Sequence, residues 1–345
     1  MRTLVFGGGG TAGHVTPSLA VFDVLEARGW NFLYAGSSAG IEARLVGREG
    51  IPFQPISVGK WQRKRLLANL KTPMKVVRGV FDAMQVLRRA RADVVFTTGG
   101  YVGLPLIVAA RLLGIPSLVH ECDLTPGLAV RLAFPFATRF SCSFSTTRDA
   151  LPRRAVHTGP PLRKYMTALR EAREVSNTLV VFGGSLGSVA INTAVRAAVR
   201  ELTARYEVVH VCGRGNIDQS LQHVEGYQQL EYVDDLPQLL ARARAVVARA
   251  GSSSLWELVQ LRVPHVVVPL PLSVSRGDQL ANAAYFEQHG TTLVLQQSDL
   301  SAATLLEALV RVTAHAQQHI AAMKRMEVGA GAERVAALLE CLAEG

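Results

Sequence analysis

Short apolar runs alternate with longer amphipathic segments along the first half of the chain. The run at 2–6 is followed by a helical pattern over 17–29 and by a second apolar run at 31–36. The alternation returns at 93–100 and 116–121. Apolar strands that alternate with helices of about ten to fifteen residues are typical of βαβ units. The first half is therefore predicted to be an α/β domain with a doubly wound parallel sheet.

The same pattern restarts after Asn177. Further apolar runs lie at 178–184, 206–213, 244–251 and 264–270. Segment 158–164 contains two prolines and a glycine, which are typical of a domain boundary. We therefore expect two Rossmann-like domains, residues 1–162 and 163–345.

Composition excludes several classes of protein. Of 345 residues, 49% are apolar and 19% charged, as in a globular chain and unlike a disordered one. The four cysteines lie too far apart for a zinc site or a disulfide framework, which favours a reducing cytosol. The first apolar run is too short for a signal peptide. Prolines and Arg111 interrupt the most apolar stretch, 102–119, so no transmembrane helix is predicted there.

The excess of positive charge lies entirely in the first half. Residues 1–163 contain 21 Lys and Arg against 9 Asp and Glu, whereas residues 164–345 are slightly acidic. A domain this basic is expected to meet nucleic acid, an anionic membrane or a phosphorylated substrate.

Three glycine-rich turns, at 7–13, 183–187 and 250–254, follow predicted strands. Glycines let a backbone approach a phosphate or sugar, and the next helix start supplies amides and positive potential. An NAD-binding fold would also need an acidic residue at the end of its second strand, where 36–39 reads Gly-Ser-Ser-Ala. The turns therefore favour a cleft for a nucleotide and a second substrate, and we expect no cofactor.

Seven segments carry a family resemblance. They are GGTAGHVTPSLAV (9–21), TTGGYVGLPLIVAA (97–110), HECDLTPGLA (120–129), FGGSLGSVAIN (182–192), YVDDL (232–236), ARAGSSSLWEL (248–258) and SRGDQLANA (275–283). Together they resemble the MurG family of bacterial glycosyltransferases. The resemblance implies the GT-B architecture, two facing Rossmann-like domains, with a last helix (about 318–343) that packs back on the first domain. It also implies inverting transfer of N-acetylglucosamine from UDP-GlcNAc to undecaprenyl-diphospho-muramoyl-pentapeptide in peptidoglycan synthesis.

Two residues are candidates for the catalytic base. His14 follows the first glycine turn, and histidine has a pKa suited to general-base chemistry near neutral pH. The resemblance implies that its ring faces the cleft; the alternative is a structural histidine at a helix start. Glu121, beside His120, is the competing candidate.

A second acidic residue, Glu257, has two interpretations. The resemblance implies that it binds both ribose hydroxyls, while the amides of Ser252 and Ser253 meet a phosphate. Ser254 and Glu257 also have the spacing of a capping box, in which the carboxylate would only stabilise the helix start.

The resemblance implies further substrate-binding residues: Thr11, Ala12, Gly13, Asp123, Arg163, Ser185, Val233, Gln279 and Asn282. Ser185 would touch the diphosphate, and the backbone of Val233 would meet the uracil edge. Gln279 and Asn282 share a helical face and would reach sugar hydroxyls or form an exposed polar face. The acidic pair in 232–236 lacks further carboxylates, so no metal is expected.

Segment 60–91 concentrates the positive charge, with ten Lys and Arg against Asp82 alone. Trp61 lies among Lys60, Arg63, Lys64 and Arg65, as in interfacial anchors. No nucleic-acid-binding signature accompanies this charge. We therefore expect a peripheral protein that docks on the anionic cytoplasmic face of the plasma membrane. A second candidate for the membrane face is 134–136, and the apolar stripe of segment 60–91 is expected in the core: Val77, Val80, Phe81, Met84 and Leu87.

Four residues depart from the family pattern: Ala12, Cys122, Asp123 and Leu186. Because Asp123 lies near the expected acceptor or sugar, two alternatives stay open. One is a different glycolipid glycosyltransferase that uses a UDP-sugar. The other is a UDP-sugar-binding regulator without turnover.

Overall fold

The computed structural model describes residues 1–9, 12–38, 40–59, 72–326 and 328–345. The chain divides into an N-terminal unit, Met1–Lys164 with Gly329–Gly345, and a C-terminal unit, Tyr165–Val328. The first part of the N-terminal unit ends at Lys164, where the sequence pattern predicted residue 162. Within the described ranges, no helix has both the length and the apolar character that crossing a bilayer requires.

The N-terminal unit contains a seven-stranded parallel sheet in the order β3-β2-β1-β4-β5-β6-β7. Its strands are β1 (Thr3–Gly7), β2 (Asn31–Gly36), β3 (Phe53–Pro55), β4 (Val94–Thr97), β5 (Ser117–Glu121), β6 (Arg139–Cys142) and β7 (Ala155–His157). Its first helices are α1 (Thr16–Glu26), α2 (Glu42–Arg48), α3 (Thr72–Ala90), α4 (Gly100–Leu113) and α5 (Leu128–Leu132). Consecutive residues Leu4, Val5 and Phe6 are all fully buried, because helices cover both faces of a parallel sheet.

The C-terminal unit contains a six-stranded parallel sheet in the order β10-β9-β8-β11-β12-β13. Its strands are β8 (Thr178–Phe182), β9 (Glu207–Val211), β10 (Tyr227–Leu230), β11 (Ala243–Ala248), β12 (His265–Val267) and β13 (Leu293–Val294). Its helices are α6 (Tyr165–Glu171), α7 (Val189–Ala197), α8 (Val199–Thr203), α9 (Leu236–Arg242), α10 (Ser252–Leu261), α11 (Asp278–Gln288), α12 (Ala302–Ala314) and α13 (Ala316–Arg325). The predicted fold class, two α/β domains with parallel sheets, is confirmed.

The last helix, α14 (Gly331–Glu344), belongs to the N-terminal unit. Val335, Ala336 and Leu339 are fully buried in the cluster that contains Leu4 and Phe96. The segment 318–343, expected as one helix, is instead two helices, since α13 stays in the C-terminal unit. The chain between them contains Gly329, whose φ of +156° does not continue a helix.

Each sheet has one reversal of strand order, between β1 and β4 in the first and between β8 and β11 in the second. The chain leaves the carboxyl ends of such neighbouring strands towards opposite faces of the sheet, and ligands bind in the crevice that results. In the C-terminal unit, Ile191 of α7 packs on one face with Val181, whereas Leu258 of α10 packs on the other with Val180. All three glycine turns thus lie at a reversal.

Shortening Leu339 to alanine should destabilise the N-terminal unit by about 2–5 kcal/mol, because a buried leucine leaves a cavity that collapses only in part. Chemical denaturation followed by circular dichroism measures the change. The control, Ala337→Ser on the exposed side of α14, should shift the free energy by less than about 0.5 kcal/mol. Unchanged stability of L339A would show that α14 is not part of this core.

Candidate active site

The second glycine turn, 183–187, is followed by Ser188 at the start of α7. Ser188 caps this helix, since its hydroxyl accepts a hydrogen bond from the Ile191 amide at 3.3 Å. Gly184 has a φ of +89°, and a Cβ there would meet no atom of the described part of the chain within 4 Å. The neighbouring Ser185 is partly exposed. The turn therefore presents open backbone and a hydroxyl in front of a helix start, an arrangement suited to an anion.

The third glycine turn leads directly into α10. Gly251 is the N-cap residue, and among the described residues no side chain caps the helix and no atom lies within 4 Å of a Cβ placed on Gly251. The capping-box interpretation of Ser254 and Glu257 is therefore wrong. The helix begins at Ser252, so both residues lie inside it.

The accessible face of α10 consists of Ser253, Ser254 and Glu257, because the other residues of the helix are buried. Glu257 keeps part of its surface accessible, yet protein surrounds its carboxyl group closely. Burial raises the pKa of Glu257 to about 7, and among the described residues no hydrogen bond or charge offsets this effect. A carboxyl group with a displaced pKa on an accessible helix face is a candidate ligand-binding group.

Gln279 and Asn282 lie on one side of α11, and both contact the backbone. The fully buried Asn282 donates from Nδ2 to the Ala250 carbonyl at 3.4 Å. Gln279 accepts at Oε1 from the Leu270 amide at 3.1 Å. The interpretation of an exposed polar face is therefore wrong, and the two side chains hold the turns that follow β11 and β12.

Arg249, which the sequence did not single out, is buried one residue beyond β11. Its guanidinium donates to the carbonyls of Val268 and Pro269 at 3.0 and 3.4 Å and to Gln297 Oε1 at 2.8 Å. Burial lowers its pKa, and no carboxylate partner accompanies it in the described part of the chain. The residue brings positive charge to the carboxyl edge of the sheet. A lone arginine in a sequence is ordinarily exposed, so only the fold reveals this placement.

Two further candidates lie in different surroundings. Val233 is partly buried in the loop between β10 and α9. Arg163 belongs to the N-terminal unit, where it donates to Asp23 Oδ2 at 2.6 Å and to both carboxylate oxygens of Glu49 at 2.9 and 3.0 Å. The observed contacts of Arg163 thus join α1 to the end of α2.

In the N-terminal unit, the first glycine turn meets the turn that follows β4. The Thr98 hydroxyl donates to the His14 carbonyl at 2.5 Å. A Cβ on Gly100 would lie 2.9 Å from the Gly9 carbonyl oxygen and 3.8 Å from His14 Cδ2. His14 is partly exposed at the end of a 3-10 turn, Ala12–His14, which also contains Gly13. Its ring therefore lies beside Gly100 at the carboxyl edge of the sheet.

The first glycine turn also contains Thr11, which lies outside the described residues.

The carboxylate of Glu121 is buried and engaged at both oxygens. It accepts from the Asp123 amide at 2.9 Å and from the Gly127 amide at 2.8 Å. These bonds shape the loop at 122–127, in which Asp123 is partly exposed. The geometry favours His14 over Glu121 as the base, because both oxygens of the Glu121 carboxylate are already bonded to backbone amides of its own loop.

A buried carboxylate that the sequence did not reveal underlies the first glycine turn. Glu42 is fully buried, and its Oε1 accepts from the Ser37 amide at 2.8 Å. A Cβ on Gly9 would lie 2.5 Å from that oxygen. The Tyr34 hydroxyl donates to the Gly8 carbonyl at 3.2 Å. Together these groups fix the backbone at Gly8 and Gly9, in the same glycine turn that His14 follows.

Both units match known domain models. Residues 4–141 match the glycosyltransferase family 28 N-terminal domain, and residues 178–339 match the glycosyltransferase family 28 C-terminal domain.

Curated relatives match over the whole chain. A protein of Bacillus cereus is 38% identical over 354 residues, covering 100% of both chains. One of Lachnospira eligens is 40% identical over 337 residues, covering 95% of both. The second is named UDP-N-acetylglucosamine--N-acetylmuramyl-(pentapeptide) pyrophosphoryl-undecaprenol N-acetylglucosamine transferase, and the first carries the same name followed by the number 2.

Solved structures agree with this result. The crystal structure of Acinetobacter baumannii MurG matches with a TM-score of 0.74 and 26% identity, covering 99% of this chain and 100% of that chain. The calicheamicin glycosyltransferase CalG4 matches with a TM-score of 0.72 and 17% identity, covering 100% and 98%, which supports the fold alone. The resemblance seen in the sequence is confirmed, and the chain belongs to glycosyltransferase family 28.

Proposed function

We propose that this enzyme transfers N-acetylglucosamine from UDP-GlcNAc to the muramoyl 4-hydroxyl of undecaprenyl-diphospho-muramoyl-pentapeptide, forming a β-1,4 bond in peptidoglycan synthesis. One observation carries the donor part of the proposal: the starts of α7 and α10 flank the strand-order reversal of the C-terminal sheet, with Glu257 on the accessible face of α10. The names of the full-length relatives support the acceptor part.

The donor diphosphate binds at the two helix starts, where backbone amides and the helix dipoles favour negative charge. Ser185 adds a hydroxyl, and Glu257 accepts hydrogen bonds from the ribose hydroxyls. Gln279 and Asn282 hold the surrounding turns in place. The backbone of Val233 meets the uracil, as the resemblance implies.

The reaction is a single displacement that inverts the anomeric carbon. His14 takes the proton of the muramoyl 4-hydroxyl, and the oxygen of that group forms a bond to the anomeric carbon. The bond between this carbon and the diphosphate oxygen breaks, and UDP leaves with the electron pair. The helix starts and Ser185 stabilise the charge that develops on the leaving diphosphate.

A screen of labelled UDP-sugars against lipid-linked and soluble acceptors tests the proposal. We expect turnover with UDP-GlcNAc and the muramoyl-pentapeptide lipid. Turnover with another sugar or acceptor would indicate a different glycolipid glycosyltransferase. Binding of UDP-GlcNAc without turnover on any acceptor would indicate a regulator.

A lipid-linked acceptor requires contact with a membrane, and the N-terminal unit has a surface suited to that contact. On α3, Met74, Val77 and Phe81 are 73%, 56% and 62% exposed, at a spacing that places them on one side of the helix. The expectation that Val77 and Phe81 lie in the core is therefore wrong. Leu87 is fully buried, while Val80 and Met84 pack partly against the core.

The neighbouring helices also carry exposed apolar side chains. Helix α4 packs on α3, and α5 packs on α4. Leu112 of α4 and Leu128 and Leu132 of α5 are also exposed. The same helices carry exposed cations: Lys75, Arg78, Arg111 and Arg131.

We propose that this α3–α5 surface docks the protein on the anionic cytoplasmic face of the plasma membrane. Apolar insertion combined with surface cations is the usual basis of such binding. Trp61 and its neighbouring cations Lys60, Arg63, Lys64 and Arg65, predicted as the anchor, lie outside the described residues. In the second candidate segment, 134–136, both phenylalanines are partly buried against the core.

Replacing His14 with alanine should lower turnover by about 10²–10⁴-fold, the usual contribution of a general base, and leave donor affinity unchanged. Single-turnover rates and UDP-GlcNAc titration measure the two quantities separately. Normal turnover of H14A would make His14 structural. Glu121→Gln would then be the next variant to assay.

Donor affinity should depend on pH through Glu257. Its pKa of about 7 means that below this pH the free enzyme must release a proton before the carboxylate can accept from both ribose hydroxyls. Affinity for UDP-GlcNAc should rise about tenfold between pH 5.5 and 6.5 and level off above pH 8. The diphosphate diester does not titrate in this range. E257Q should bind more weakly and without this pH dependence; the same profile in E257Q and wild type would assign the titration to another group.

The double variant Val77→Ser/Phe81→Ser should bind anionic vesicles at least about tenfold more weakly than wild type, because two exposed apolar side chains no longer insert. Vesicle sedimentation across a series of salt concentrations measures this binding. The matched control, Val175→Ser/Val310→Ser, removes two exposed valines of the C-terminal unit and should bind like wild type. If both double variants bind equally, the membrane face lies elsewhere.

A further inference from the structure

A chain of buried polar side chains lies behind the second glycine turn. His210 of β9 is fully buried, and both of its ring nitrogens are bonded. Nδ1 lies 2.8 Å from the Tyr227 hydroxyl, and Nε2 lies 3.0 Å from Asn192 Oδ1. Asn192, on α7, donates from Nδ2 to the Cys212 carbonyl at 3.0 Å. This series of hydrogen bonds therefore runs from β10 through β9 to the backbone beside the second glycine turn.

The available acceptors determine which group donates in each hydrogen bond of this network. The Cys212 carbonyl only accepts, so Asn192 points its NH₂ group there and its Oδ1 towards His210. His210 must then donate from Nε2 and accept at Nδ1 from the Tyr227 hydroxyl. Burial lowers the pKa of His210 to about 3 and raises that of Tyr227 to about 12. One neutral tautomer and one arrangement are thus maintained across the physiological pH range.

The Cys212 carbonyl, where this series of hydrogen bonds ends, lies directly against the second glycine turn. The Cys212 carbonyl lies against Gly187 so closely that a Cβ on Gly187 would overlap with it. A Cβ on Gly213 would in turn lie 2.5 Å from the Leu186 carbonyl oxygen. Gly187 and Gly213 both have positive φ, at +76° and +91°. Residues 212 and 213 therefore pack directly against the second glycine turn, 183–187, and determine its shape.

Hydrophobic residues would fill these core positions without the cost of burying polar groups. A buried polar network in such a place restricts the structure to one arrangement rather than adding much stability. This network also lies outside the group of residues that would contact the donor. The network restricts the position of the Cys212 carbonyl, and this carbonyl in turn restricts the shape of the second glycine turn.

We propose that Tyr227, His210 and Asn192 are positioning residues that fix the second glycine turn in the shape that receives the donor diphosphate. This inference rests on the proposed function, because it assigns the turn to the diphosphate. It predicts that the network affects the phosphate-dependent part of donor binding and not the part that depends on the nucleoside.

Two substitutions of His210 separate positioning from simple structural support. The amide of His210→Gln reaches the place of Nε2 and can still donate to Asn192. The amide of His210→Asn reaches only the place of Nδ1, so it keeps Tyr227 and loses Asn192. Both variants remove an aromatic ring from the same buried position, which makes their losses of stability comparable.

The readout is the ratio of UDP affinity to uridine affinity, from calorimetry for UDP and NMR titration for uridine. H210N should lower UDP affinity about tenfold, the effect of losing one buried hydrogen bond, whereas H210Q should stay within about twofold of wild type. Uridine affinity should be the same in all three proteins. In turnover assays H210N should raise KM for UDP-GlcNAc more than it lowers kcat.

A substitution in the same strand that creates a cavity provides the control. Val208 pairs with Tyr227 across β9 and β10, and Val208→Ala opens the core there while removing no polar group of the network. It should reduce thermal stability and leave the UDP-to-uridine ratio unchanged. If H210N and H210Q behave alike, or V208A changes the ratio as much as H210N, the network is only structural and the proposal is overturned.

Asn192→Leu keeps the side-chain size without polar groups and provides a test that is independent of His210. It should also weaken UDP binding about tenfold with uridine binding unchanged. Wild-type UDP affinity in N192L would overturn the proposal. Failure of the wild-type protein to bind UDP at all would instead contradict the proposed function.

Discussion

The direction of the parallel strands determines where the candidate phosphate site of this protein lies. β8 and β11 are neighbours in the C-terminal sheet and end at the same edge, yet the chain leaves them towards opposite faces. The crevice that results is bordered by the starts of α7 and α10, whose amides and dipoles favour an anion. Transfer of a sugar from a nucleoside diphosphate needs this stabilisation, because the leaving group gains negative charge as the bond breaks.

Helix starts stabilise charge only if the turns before them keep a fixed shape, and buried polar side chains secure that shape here. Asn282 bonds the carbonyl before Gly251, and Arg249 and Gln279 bond the backbone at 268–270. Asn192 performs the same task for the second turn. Each of these side chains forms a hydrogen bond with the backbone. A polar group left unpaired in the interior would cost free energy, so the local geometry is strongly determined. In the N-terminal unit, Glu42 bonds the Ser37 amide beside the first glycine turn, and Glu121 bonds the amides of Asp123 and Gly127.

The hydrophobic pattern predicted both sheets, because strands buried on two faces are apolar throughout and are easy to recognise. The glycine turns located the candidate site, since few other residues allow so close an approach of backbone. Exact helix starts were harder to predict: α10 begins at Ser252 after a glycine N-cap, whereas the serines after it suggested a cap at Ser254. Buried charges such as Glu42 and Arg249 were missed because their burial depends on distant parts of the chain.

The amphipathic pattern of α3 illustrates the same limit. Val77 and Phe81 fit a core-facing stripe as well as Leu87 does, and the packing of α3 against α4 and the sheet decides which of them are covered. Their exposure was therefore invisible in the sequence, although the surrounding cations drew attention to this segment.

A crystal structure of the enzyme soaked with UDP-GlcNAc tests the account most directly. The account predicts density for the diphosphate at the starts of α7 and α10, with the ribose hydroxyls at Glu257. Density for the diphosphate at the first glycine turn of the N-terminal unit, with Glu257 free of ligand, would contradict it.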